Sequence, residues 1–168
     1  MDWSALFVGI VIGLVVALSS RALLIRLLKV KFNRDVAKLN AGDYAPLLRS
    51  YRDDAVLHFN DGEHRWAGEH HGKAAIERFL QDFVKAGVQG EISEVFIGGP
   101  PWRMTLLARF DDRANAPDGT PIYSNHTVLV VRTAWGRIYE QFDFYEDTSR
   151  ILGLEKRLIE LGIIPVPG

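Results

Sequence analysis

The chain of 168 residues contains no cysteine. That absence excludes a disulfide framework, a thiol nucleophile and a cysteine-based zinc site, and it leaves the five histidines to carry any argument for a metal. A bias of charge is also missing. Lys and Arg number 20 against 21 Asp and Glu, for a net charge of −1 and a pI near 6.5, so there is no overall electrostatic case for nucleic acid as a partner. No repeat divides the chain and nothing in it calls for a cofactor. The last absence is local: Trp3 to Ser20 carries no charge at all.

Those 18 uncharged residues would make a helix of about 27 Å, enough to cross a bilayer core of about 30 Å. Asp2 stands where a signal peptide would carry Lys or Arg, and no small-residue cleavage site leads to a polar mature terminus. An uncleaved single-pass anchor is therefore expected, with Trp3 at the far interface. Arg21, Arg26, Lys29, Lys31 and Arg34 all follow the run. By the positive-inside rule they place that flank, and the domain behind it, on the cytoplasmic side, with lipid headgroups as a secondary use of the same charges. The alternative is a buried or interfacial helix, because Leu23, Leu24, Ile25, Leu27 and Leu28 extend the apolar character past the first charges. On the first reading residues 1–30 form the anchor and its flank, and 31–168 a single domain large enough to bury a core.

A helix is expected from Arg21 to Leu39, ended by Asn40-Ala-Gly42, and a short one from Tyr44 to Tyr51 with Asp43 as N-cap. Ala55–Phe59 reads as a strand closed by Asn60-Asp-Gly62. Glu63, His64, Glu69, His70 and His71 then fall in a loop without metal-ligand spacing. Ile76, Phe79, Leu80 and Phe83 repeat at helical spacing within Lys73 to Ala86, and that apolar face must cover a sheet. Gly90 to Ile97 is a further strand. Three more follow, at Trp102–Asp112, Pro121–Thr133 and Arg137–Glu146, separated by the turn formers Asn115–Gly119 and Trp135-Gly136. Thr148 to Leu161 is a last helix before a tail with Pro165 and Pro167. The three late strands form an antiparallel meander, and the whole is α+β.

The residues that carry chemistry lie on that meander. Arg109 and Asp111 are two apart and share a face, and Asp143 sits on a strand that would return over the same surface. Two carboxylates with an arginine between them would hold one acid protonated and the other ionised. Strict alternation, however, places Trp102, Met104, Leu106, Ala108 and Phe110 on one apolar face and Arg109 with Asp111 on the other, where they would be a surface salt bridge. A bulge would reverse that register. Tyr145, Asn125, His126 and Asn60 are further pocket candidates, although His126, with apolar Val128 and Val130 on its face, reads as a hydrogen-bonded core histidine rather than a catalytic base.

The element order, with Leu39-Asn-Ala-Gly-Asp43, Tyr51-Arg-Asp-Asp-Ala-Val56, Gly72-Lys-Ala-Ala-Ile76 and Gly136-Arg-Ile138 before an acidic-aromatic strand, resembles the SnoaL-like branch of the nuclear-transport-factor-2-like superfamily. The resemblance covers about Lys31 to Leu161. It implies a cone in which a curved antiparallel sheet wraps around helices and leaves a blind pocket. Arg109-Phe-Asp111 and Asp143-Phe-Tyr145 are similar to the Arg-x-Asp and Asp-aromatic-aromatic motifs of limonene epoxide hydrolases. By that likeness Asp143 would activate water, Asp111 would protonate an epoxide oxygen and Arg109 would bridge them. The Tyr and Asn that hold the water there have no counterpart in Val56-Leu-His-Phe59, and Asn60 is one register step off.

Two functions fit. One is a pocket for a small apolar, lipid-like or isoprenoid molecule that partitions into the membrane, with or without epoxide hydrolysis. The other is a non-catalytic accessory or scaffold subunit of a membrane complex, or a homodimer, in which Phe142, Phe144, Tyr145, Trp135 and Trp102 fill the cone.

Overall fold

The computed structural model describes residues 3–166 and falls into two units, residues 1–33 and Arg34–Gly168. The described part of the first unit belongs to α1 (Trp3–Asn40), whose segment Phe7–Asn40 is long and apolar enough to cross a membrane. Phe7, Val8, Ile10, Val11 and Ile12 are all exposed, and at 100° per residue they leave no polar side to that stretch. The side chains of 3–6 and 14–17, Trp3 among them, and the terminal Pro167 lie outside the described residues. The helix expected from Arg21 to Leu39 is the continuation of the apolar run, and α1 extends without a break to Asn40.

The second unit begins with the last turns of α1, where Asp35 and Val36 are buried. Gly42, at φ 87°, ends the helix by letting the Asp43 and Gly42 amides turn back onto the Lys38 and Leu39 carbonyls. Asp43 caps α2 (Ala45–Ser50) in a modified form: Tyr44 occupies the N-cap position, and the Asp43 carboxylate accepts the Ala45 N–H at 3.2 Å.

Six strands follow: β1 (Tyr51–Phe59), β2 (Gly68–His71), β3 (Gln89–Gly98), β4 (Arg103–Asn115), β5 (Pro121–Ala134) and β6 (Arg137–Tyr145). Their order in the sheet is β2-β1-β6-β5-β4-β3. The meander of the last three is antiparallel as expected, but the sheet as a whole is curved and mixed, because β1 lies parallel to β6. β1 enters before the meander exists, and the chain then crosses to the far edge through β2, α3 and β3. No hairpin therefore forces it to alternate in direction. β2 also replaces the loop expected around Glu69–His71. Its four residues carry no apolar alternation, and the ladder to β1, from Val56 opposite His71 to Phe59 opposite Gly68, is what makes it a strand.

α3 (Lys73–Lys85) buries Ile76, Phe79 and Leu80 against this sheet, with Phe83 half-buried beside them. α4 (Thr148–Glu160) starts at Asp147, whose carboxylate accepts the Ser149 N–H at 2.9 Å, and buries Ile151, Leu154 and Leu158. The core between helices and sheet is built on Tyr51, Leu57, Trp66, Ile76 and Leu158.

Candidate functional site

Regular alternation along β4 sends Met104, Ala108, Phe110, Asp112 and Ala114 inward and Arg103, Leu107, Arg109, Asp111 and Arg113 outward. Arg109 and Asp111 do share a face, but it is the outer one. Asp111 Oδ1 sits 2.8 Å from Nδ1 of His126, and both side chains are about half exposed. This corrects the expectation of a shared Arg109, Asp111 and Asp143 pocket, since no bulge intervenes in the pairing of Arg109 and Asp111 with Val128 and His126. His126 is likewise on the outer surface rather than in the core.

Asp143 is inside, 7% exposed, and the second acid on the inner wall is Asp112, also 7% exposed. A bulge between Ile138 and Glu140 helps to set this arrangement. It shifts the register of β6 against β5 by one residue, so that Ile138, Gln141 and Asp143 are all buried. Gln141 Nε2 donates to Asp143 Oδ1 at 2.7 Å, and the buried Tyr51 hydroxyl donates to Gln141 Oε1 at 2.5 Å. The Thr127 hydroxyl donates to Asp112 Oδ2. Neither carboxyl has an arginine or lysine in an ion pair among the described residues.

Burial therefore dominates their acidity. Asp143 is pushed up to about 7 by desolvation, which the Gln141 hydrogen bond opposes and the charge of Asp112 reinforces. Asp112 is pushed up to about 6 by desolvation, against the Thr127 hydrogen bond. Both acids are thus held above the ordinary carboxylate range, and the charge of Asp112 further opposes ionisation of Asp143, so the two titrate toward neutral pH as a linked system. Tyr145 lies beside both. Its hydroxyl is held well above its ordinary value by burial and then by the charges of Asp112 and Asp143.

Tyr145 also connects the acids to a small cavity, about 10 Å³, lined by Phe59, Trp66, Phe83, Val88, Tyr123, Ile151 and Leu154. A space of that size takes about one water molecule. The bulk that narrows it comes from Phe59, Trp66, Tyr123 and Tyr145. Of the aromatics expected to fill the cone, Phe144, Trp135 and Trp102 are exposed, and Phe142 stacks on His58 with ring centres 4.2 Å apart.

Asn125 and Asn60 serve the backbone. Asn125 Nδ2 donates to the Asp147 carbonyl at 2.7 Å and its Oδ1 accepts the His126 N–H at 2.9 Å, pinning the start of α4. Asn60 Oδ1 accepts the Tyr145 N–H at 3.4 Å. Among the described residues no cluster of three or more His, Asp or Glu is arranged to hold a metal ion. Glu69 instead bridges two histidines, His58 at 3.1 Å and His71 at 2.9 Å.

The residues missed from sequence are Asp112, Thr127, Gln141 and Tyr51. One signal for Asp112 was available, because extending the apolar series Met104 to Phe110 by one more step of two lands on it.

A curved sheet packed on helices, with an acid pair on its concave wall, defines an α+β fold of the nuclear-transport-factor-2-like class. Within that class the chain belongs to the SnoaL-like domain family, whose model matches residues 33–141. Among solved structures, Bal32a from a soil-derived mobile gene cassette is 20% identical, with a TM-score of 0.61 over 76% of this chain and 95% of that one. TerC, co-crystallized with polyporic acid, is 18% identical at a TM-score of 0.61, covering 75% and 95%. An NTF2-like protein of unknown function from Burkholderia pseudomallei gives 20% and 0.61 over 76% and 95%. These likenesses concern the fold. No curated protein matches the chain.

Proposed function

We propose that this is a membrane-tethered pocket domain that binds a small apolar molecule carrying an oxygen function and moves a proton on it through Asp143 and Asp112. The observation that carries the reading is the pair itself. Two carboxyls buried without a cation are costly to a fold, and pKa values raised toward neutrality are what acid–base chemistry near neutral pH requires. Asp112 in its ionised form would accept a proton, while Asp143 in its protonated form would donate one to an oxygen of the ligand. Proton relocation next to a carbonyl or enol fits this pair directly. Hydrolysis of an epoxide would need a water beside one of the two carboxyls rather than in the cavity, whose lining includes neither acid, and has no part for Arg109. TerC, similar in fold, is co-crystallized with polyporic acid, which supports a small organic molecule as the ligand class.

The uncharged run of α1 and the five basic residues after it support a single-span anchor with the domain on the cytoplasmic side. An apolar ligand would then arrive through the bilayer.

The tightness of the cavity favours a second reading, a non-catalytic accessory subunit of a membrane complex, because a ligand larger than water must displace Tyr145, Phe59 or Trp66 to enter.

A turnover screen of the detergent-solubilised full chain against apolar ketones, enols and epoxides separates the two. Activity that disappears in Asp143→Asn, with thermal melting retained, is the expected result. No turnover and no ligand-induced rise in melting temperature across the panel would leave the accessory reading in its place.

A further inference from the structure

We propose that the turns β3–β4 and β5–β6 together form a second membrane contact, seating Trp102 and Trp135 in the headgroup layer of an anionic bilayer.

Trp135 and Gly136 make the two-residue turn between β5 and β6, with φ of 52° and 75°. Positive φ at both central positions is what a tight hairpin needs, and Asn or Gly normally meets it. Trp135 is the one residue other than glycine with positive φ among the described residues. A bulky side chain there is strained, and its ring, 82% exposed, recovers nothing by packing. Trp102, 56% exposed, stands next to it, because the Trp135 N–H donates to the Trp102 carbonyl at 3.1 Å. Gly99 keeps the first turn tight: at φ 92°, a Cβ there would come within 2.5 Å of the Arg103 carbonyl oxygen.

The charges match the rings. Neither Ile97–Arg103 nor Thr133–Arg137 contains a carboxylate, and each ends in an exposed arginine. Arg137 donates to the Tyr51 carbonyl at 2.8 Å and has Asp53 Oδ1 at 4.0 Å, while Arg132 nearby is held by Glu140 at 2.6 Å. Indole rings beside arginine, with Pro100 and Pro101 presenting no amide hydrogens, have the composition of a membrane–water interface, and arginine adds attraction to anionic headgroups. The surface goes beyond the pocket, and rests on the proposed function only through the membrane that α1 would supply.

The chain is free of cysteine, so one can be introduced for labelling. Pro101→Cys and, at the opposite end of β4, Asp118→Cys would each carry an environment-sensitive fluorophore in the full chain, reconstituted into phosphatidylcholine–phosphatidylglycerol vesicles. The expected result is blue-shifted emission at 101, quenched by brominated lipid and shielded from aqueous iodide, with the reverse at 118. Adding Trp102→Ser and Trp135→Ser should abolish the lipid quenching at 101 without lowering the melting temperature. Equal iodide quenching at both sites in membrane-bound chain would overturn the proposal and leave the anchor intact. Shielding at 101 without lipid quenching would assign the surface to a protein instead. A chain that alkaline carbonate extracts and that does not sediment with vesicles overturns both the anchor and this contact.

Discussion

Replacing Asp143 by asparagine should make the protein more stable at high pH, against the usual direction of a core substitution. The folded protein raises this carboxyl from 3.8 to about 7, which corresponds to about 4 kcal/mol of preference for the protonated form. The unfolded chain ionises near 3.8, so the folded state binds the extra proton over the interval between. The sign follows: the contribution is fully present below about pH 4, is lost as pH rises through 7, and stays lost above. Asparagine keeps a neutral group of the same shape, whose oxygen can still accept from Gln141, and never pays for ionisation. Allowing for the coupling to Asp112, the variant should lie within about 1 kcal/mol of wild type near pH 4.5 and exceed it by about 2–4 kcal/mol at pH 8, or about 5–15 °C in melting temperature. Thermal and urea melts of the full chain in detergent at the two pH values would read this. The carboxylates lowered by local hydrogen bonds, Asp54, Asp118 and Asp147, are common to both proteins and cancel. Equal destabilisation at both pH values would refute the reasoning, since it would mean that Asp143 is ionised in the fold and held by its hydrogen bonds.

Asp112→Asn should remove the charge that opposes ionisation of Asp143 and so move the Asp143 midpoint below 7, measurable by carboxyl NMR; an unchanged midpoint would show that the two acids do not sense each other. Phe79→Ala should cost about 3–5 kcal/mol and Phe83→Ala less, because only Phe79 is fully buried, as urea denaturation would show. Arg109→Ala should change stability by no more than about 0.5 kcal/mol and leave any turnover intact, whereas a site built on Arg109 would lose both. Arg65→Met should cost about 3 kcal/mol by leaving Glu155, its partner at 2.8 Å, buried without a countercharge.

What the sequence by itself determined here is what local pattern encodes. Ile76, Phe79 and Leu80 mark one helix face, the Asn115–Gly119 and Trp135-Gly136 turns delimit the meander, and the uncharged run up to Ser20 marks α1, because each depends on periodicity or turn chemistry within a few residues. The candidate acids were half legible. Asp143 was named, but Asp111 was chosen over Asp112, although the two differ only in strand parity and the apolar series already pointed to the second. Tertiary structure decided the rest for reasons that no local window contains. β2 exists because β1 offers it an edge, and β1 runs parallel to β6 because the chain between them crosses the whole sheet. Asp143 is buried beside Gln141 because a bulge in β6, set by its pairing with β5, turns both inward. The raised pKa values of the two acids follow from that burial, and burial is a property of how distant segments close over a residue rather than of the residue or its neighbours in sequence.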